Sequence, residues 1–222
     1  MRPVSPSSAP GMFRGWRFAL AVAVTFLAGS LAVPQAAADQ SASTFIEVLG
    51  EKAIGELAPD GIGRDERERR FRSLLRANFD LERISRFVLG RYARQATREQ
   101  LSEFRDLYEE LMVLTYSELF AAYDGESFRV TREVGDPGDR YSLVISEVRL
   151  PGDGEVIVLQ WQVLSEGGSH AVVDIRVEGV SMALAQREEF GAVLQRHGGD
   201  VSALIAEVRE KVAALRRRQA GQ

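Results

Sequence analysis

The chain has 222 residues, with 28 basic and 32 acidic side chains and no cysteine. The lack of cysteine excludes a disulfide framework, a cysteine metal site and an anchor through a lipidated cysteine. The net charge of −4 argues against nucleic acid as a partner, because that binding rests on a basic footprint.

Residues 1–38 read as a signal peptide. Arg2, Arg14 and Arg17 make a basic start, and 18–33 is an apolar run too short and poorly flanked for a transmembrane helix. Ala36-Ala37-Ala38 supplies a small-residue cleavage pattern and makes Asp39 the expected mature start; an uncleaved anchor is the alternative. The predicted organisation is then one α+β domain over 39–215 and a flexible basic tail over 216–222. Losing the three signal arginines leaves 25 basic against 32 acidic residues, a net charge of −7. The stretch 64–98 stands apart, with eleven arginines against five acids. It is either a helical face laced with ion pairs or a positive patch for anionic headgroups or an acidic partner.

A first helix is predicted over 41–57, with Phe45 or Ile46, Leu49, Ala53 and Leu57 on one face. Pro59-Asp60-Gly61 breaks it, and a charged helix follows over 64–78. Asp80 can cap a third helix that stops at Gly90. Thr97 with Gln100 forms a capping box and starts a long helix to about Tyr123. Its second half is apolar over most of its circumference, so it must be covered on most sides. It is a central core helix, or one with the core on one side and an apolar ligand on the other.

The period then changes from 3.6 to 2. Strands are predicted over 128–134, 141–150, 155–164 and 170–178, joined by short turn sequences, which makes an antiparallel meander. Ile157, Leu159, Trp161 and Val163 share one face of the third strand, and Ala171, Val173, Ile175 and Val177 one face of the fourth. Asp174, Arg176 and Glu178 then point to the opposite, solvated face as an ion-pair ladder. Ser181 and Asp200 can cap two final helices.

No catalytic constellation emerges. His197 sits at a helix end and His170 at a strand start. No metal spacing, nucleophile elbow, phosphate loop or dinucleotide fingerprint occurs, so no metal or cofactor is expected.

Three runs carry a family resemblance: FDLERISRFVLGRYARQATREQLSEF at 79–104, TYSELFAAYDG at 115–125 and VVDIRVEGVSMALAQREEF at 172–190. Taken in order, they resemble the MlaC-like periplasmic phospholipid-shuttle proteins, also called toluene-tolerance proteins. The resemblance covers roughly 45–212. It implies a twisted antiparallel sheet, here four-stranded, wrapped by about six helices: a cystatin or nuclear-transport-factor-like core with an added helical lobe. It further implies a phospholipid held by its acyl chains in an apolar cavity and carried between an outer-membrane lipoprotein and an inner-membrane ABC transporter. Such traffic helps keep the outer membrane asymmetric. A sub-branch is associated with hopanoids, and the motifs do not separate the two.

A diacyl lipid with about 30 methylenes would lose roughly 24 kcal/mol if left in water, so a carrier must cover its chains. The cavity is expected between the apolar face of the sheet and the long helix. The expected lining is Phe87, Val88, Leu111, Leu114, Tyr116 and Leu119 from the helices, with Ile145, Leu159, Trp161, Val163, Val173, Ile175 and Val177 from the sheet. Plain core packing uses the same residue types. Two other readings remain: a cone-fold enzyme with a polar pocket around Asp174 or His170, acting on an isoprenoid or acyl substrate, and an interaction module with a filled core.

Overall fold

The computed structural model describes residues 41–136, 138–152 and 154–221; the expected signal segment at 1–38 lies outside them. Helix starts follow their capping residues. Ser41 accepts from the Thr44 N–H and opens α1 (Ala42–Leu57). After the Pro59 break, α2 (Arg64–Asn78) leads into Asp80, which accepts from the Arg83 N–H and opens α3 (Leu81–Leu89). Gly90, at φ 59°, ends that helix in a conformation other residues rarely take. Thr97 and Gln100 form the full reciprocal box that opens α4 (Arg98–Tyr116).

α4 is shorter than its apolar pattern suggests. At Ser117 the backbone tightens into a 3-10 turn over Ser117–Ala122. The predicted helix to Tyr123 is therefore an α-helix of 19 residues followed by this turn.

The sheet is a meander in the order β1 (Ser127–Val134), β2 (Tyr141–Arg149), β3 (Val156–Glu166), β4 (Ser169–Val177) and β5 (Val180–Ser181), all antiparallel. The fold is α+β with five strands rather than four. The fifth arises because Glu178 leaves the ladder. Glu178 (φ 50°) and Gly179 (φ 82°) both take positive φ, the two-residue hairpin geometry that returns the chain as β5. Ser181 then caps α5 (Met182–Arg196), and Asp200 caps α6 (Val201–Ala220).

Two cores form. One joins α3, α4, α5 and α6 around Phe104, Leu194 and Leu204, all fully buried. The other pins α1 to the sheet through Ile46, Val144, Val163 and Val172. The α2–α3 junction is tied to the sheet where the Asp80 N–H donates to the Val172 carbonyl at 3.1 Å.

The expected basic tail is mostly helix. α6 continues to Ala220, and Arg216 binds Glu68 and Glu110. The arginine-rich stretch is the ion-pair-laced alternative. Arg69 and Arg70 meet Glu66, Arg72 and Arg76 meet Glu109, Arg83 meets Asp80 and Arg86 meets Glu82.

Candidate functional site

Between the two cores lies a cavity of about 350 Å³ with an almost wholly apolar wall. α1 contributes Leu49, Ala53 and Leu57, which recur at helical spacing. α2 contributes Phe71, Leu74 and Leu75, and α3 contributes Leu81 and Ile84. From α4 come Tyr108, Met112 and Tyr116, each one turn beyond the last, and Leu119 and Phe120 of the 3-10 turn continue that face. Leu159 and Trp161 of β3, with Val173, Ile175 and Val177 of β4, form the sheet wall. Leu119 is 66% exposed, which marks the side open to solvent.

Polar groups gather at one part of the wall. The Tyr108 hydroxyl donates to Gln186 Oε1, and the Gln186 amide reaches Met112 Sδ at 3.4 Å. The Tyr116 hydroxyl lies 3.9 Å from Met182 Sδ. Burial pushes both phenols above their usual range, so they remain neutral hydroxyls.

Asp174 pairs with Gln162 but is not solvated. Its side chain is 10% exposed and lines the cavity. The start of α5 covers it, and a β-bulge lies just before it. Gln162 pairs with Asp174 but Val163 pairs with Val172, so Val173 is the extra residue and the strict period of two fails there. Val172, not Ala171, then takes the fully buried position opposite Val163. The carboxylate works locally: Oδ2 accepts from Ser181 Oγ at 2.6 Å and Oδ1 from the Ala183 N–H at 3.1 Å. It thereby holds the start of α5, where an anion is favoured. Arg176 lies 3.9 Å away, a weak pair rather than a ladder.

Seven of the thirteen residues expected to line a cavity do so: Tyr116, Leu119, Leu159, Trp161, Val173, Ile175 and Val177. The other six do not. Val88, Leu111 and Leu114 are buried; Val88 and Leu111 belong to the helical core. Leu111 and Leu114 are turned off the Tyr108–Met112–Tyr116 face by the 100° step of the helix. Val163 is fully buried beneath α1. Ile145 points to the other sheet face, opposite Gln160, because Val144 and Ser146 take the inner positions. Phe87 is 43% exposed, with the Arg187 guanidinium 4.9 Å from its ring centre.

The contributions of α1 and α2 were not anticipated. Only the 49/53/57 repeat hinted at them. His170 is not in the cavity wall; its Nδ1 lies 2.8 Å from Ser165 Oγ and its ring packs near Phe45. His197 closes α5 and bonds Glu207 at 2.7 Å. Among the described residues, no group of three or more His, Cys, Asp or Glu could hold a metal ion.

Comparison with known proteins places this architecture. The toluene tolerance protein ttg2D of Pseudomonas putida is 26% identical over 128 residues, which cover 57% of this chain and 58% of that protein. The chain thus matches under two thirds of the length of that relative. A phospholipid-binding protein from Ralstonia solanacearum, solved with a phospholipid bound, superposes with a TM-score of 0.72 at 21% identity, covering 79% of this chain and 98% of the other. That likeness establishes the fold. The MlaC protein family profile matches residues 52–210, well over half of the sequence, and so the chain belongs to the MlaC family.

Proposed function

We propose that this protein is a periplasmic lipid carrier that holds acyl chains in the cavity between its two cores. The observation that carries this reading is a 350 Å³ space walled almost wholly by apolar side chains. Ligand sites typically span about 300–1,000 Å³. At roughly 30 Å³ per water-sized group, it has room for about a dozen such groups. That covers much of one acyl chain, and a diacyl lipid with ~30 methylenes would also extend through the side open at Leu119. The bound phospholipid of the Ralstonia protein supports the same ligand class.

The seven expected wall residues and the unanticipated ones from α1 and α2 would contact the chains, and the headgroup would sit on the side of Leu119. We further propose that residues 1–38 direct export and are cleaved. The protein then passes lipid between an outer-membrane lipoprotein and an inner-membrane ABC transporter, supporting outer-membrane lipid asymmetry. A hopanoid cargo is the alternative within the same cavity. An enzyme has less support. Asp174, the one carboxylate among the described wall residues, already accepts two hydrogen bonds that hold α5.

Native mass spectrometry of the protein isolated from a bacterial periplasm, followed by lipid extraction, tests the reading. A co-purifying phospholipid mass is expected, and a triterpenoid mass would select the hopanoid alternative. A bare protein mass, with no uptake from labelled phospholipid vesicles, would overturn the carrier.

A further inference from the structure

Trp161 stands where the cavity ends. Along β3, Leu159 and Trp161 line the cavity, while Val163, two residues on, is fully buried in the core beneath α1. The indole belongs to both environments, since it lines the cavity and packs against that core. With Leu49, Phe79 and Ile175, which belong to both in the same way, it forms the partition between cavity and core on this side of the sheet.

The partition is held in place. The indole Nε1–H donates to Ser146 Oγ at 2.9 Å, and Ser146 is fully buried on the neighbouring strand. The Phe128 ring meets the indole edge to face, with centroids 6.3 Å apart at 86°. Phe128 is backed by α1 at Gly50, where a methyl group would overlap its ring. Glycine costs about 1 kcal/mol relative to alanine inside a helix, and its place here is explained by the close approach of that ring. An indole fixed by a hydrogen bond, an aromatic edge and a helix behind it will not yield readily to a chain pressing on it.

We propose that Trp161 is the chain-length stop of the cavity: its indole meets the end of the longest acyl chain and sets the length that fits. This rests on the carrier reading. It predicts a sharp upper limit of chain length rather than a gradual decline, because packed interiors resist added methylenes.

The test equilibrates the delipidated protein with an equimolar mixture of saturated phosphatidylglycerols graded from lauroyl to behenoyl, and reads the bound species by native mass spectrometry. Wild type should show a cut-off. Trp161→Ala should extend it by roughly two to six carbons, since close-packed interiors exchange volume nearly atom for atom. Trp161→Phe, which keeps an aromatic ring and guards against a folding defect in the alanine variant, should extend it by less. Ile145→Ala, on the outer face of the sheet, should leave it unchanged. If both Trp161 variants bind the wild-type length distribution, the stop is elsewhere and the inference fails while the carrier reading stands. If wild type takes up none of the lipids, the carrier reading fails and this inference with it.

Discussion

The two sides of α4 bury their residues in opposite ways. One side presents Tyr108, Met112 and Tyr116 to an apolar cavity that the fold leaves unfilled. The other presents Glu109 and Glu110 to a charged seam. Glu109 accepts from Arg72 and Arg76, each at 2.8 Å, and Glu110 from Arg72 and from Arg216 at 2.9 Å. The seam ties α2 and α6 to α4 by directional contacts. The cavity side has few such ties, the Tyr108 hydroxyl to Gln186 of α5 being the main one, and the rest of its wall is apolar. The contrast teaches that rigidity on one face of a helix lets the other remain open.

A charge inside the cavity should break the contrast most. Ile175→Glu places a carboxylate where ionisation costs several kcal/mol. Bound phospholipid, measured after extraction, should fall by at least about a hundredfold, near 2.7 kcal/mol. Retained lipid at wild-type level would place the acyl chains elsewhere.

Truncation separates core from wall. Leu111→Ala, in the helical core, should lower unfolding free energy by about 2–5 kcal/mol in urea melts. Met112→Ala should cost roughly half as much, because its side chain already lacks neighbours on the cavity side. Equal losses would mean that Met112 is packed as core.

The seam predicts stability without a binding effect. Glu109→Ala leaves Arg76 without its partner and Arg72 with Glu110 alone, and should cost about 1–3 kcal/mol, discounted for the exposure of Arg76. Lipid occupancy should stay unchanged. An equal loss of lipid would show that the two faces are coupled.

The same seam sets a pH response. Burial alone would raise the Glu109 and Glu110 carboxyls. Hydrogen bonds from Arg76 and Arg72 to Glu109, and from Arg72 and Arg216 to Glu110, outweigh it and hold both below the usual range. A depressed folded value means the contribution is complete above the unfolded pKa near ~4.3 and is lost as pH falls through the folded one. Thermal melts should therefore show the Glu109→Gln/Glu110→Gln variant losing less stability than wild type between about pH 5 and pH 2. Parallel curves would remove the seam from the acid response.

The smallest expected effect is Ser181→Ala, which removes the cap of α5 and a donor to Asp174. It should cost about 1 kcal/mol.

Helix starts were legible because capping is local. Asp80, Thr97, Ser181 and Asp200 each sit at the start they announce. The meander was equally legible, since short turns leave neighbouring strands little choice but to pair. Asp174 was read as solvated because one strand's alternation does not show that the start of α5 folds over it, and Ala171 was read for Val172 because a bulge is a property of two strands in register. Leu111 and Val163 were read as cavity wall because apolar residues look alike whether a neighbour or a void lies beyond them.

The sequence by itself determined most of the elements, their order and the family, because caps, turns and hydrophobic period act over a few residues; the β5 hairpin and the 3-10 end of α4 came only with the structure. Which apolar side chains fill the core and which line an empty space was decided only in the tertiary structure. That distinction depends on how far apart α1, α4 and the sheet are held. The spacing comes from long-range contacts such as Phe128 against Gly50, which holds α1 to the sheet, and the Asp80 N–H on the Val172 carbonyl, which ties the α2–α3 junction to it.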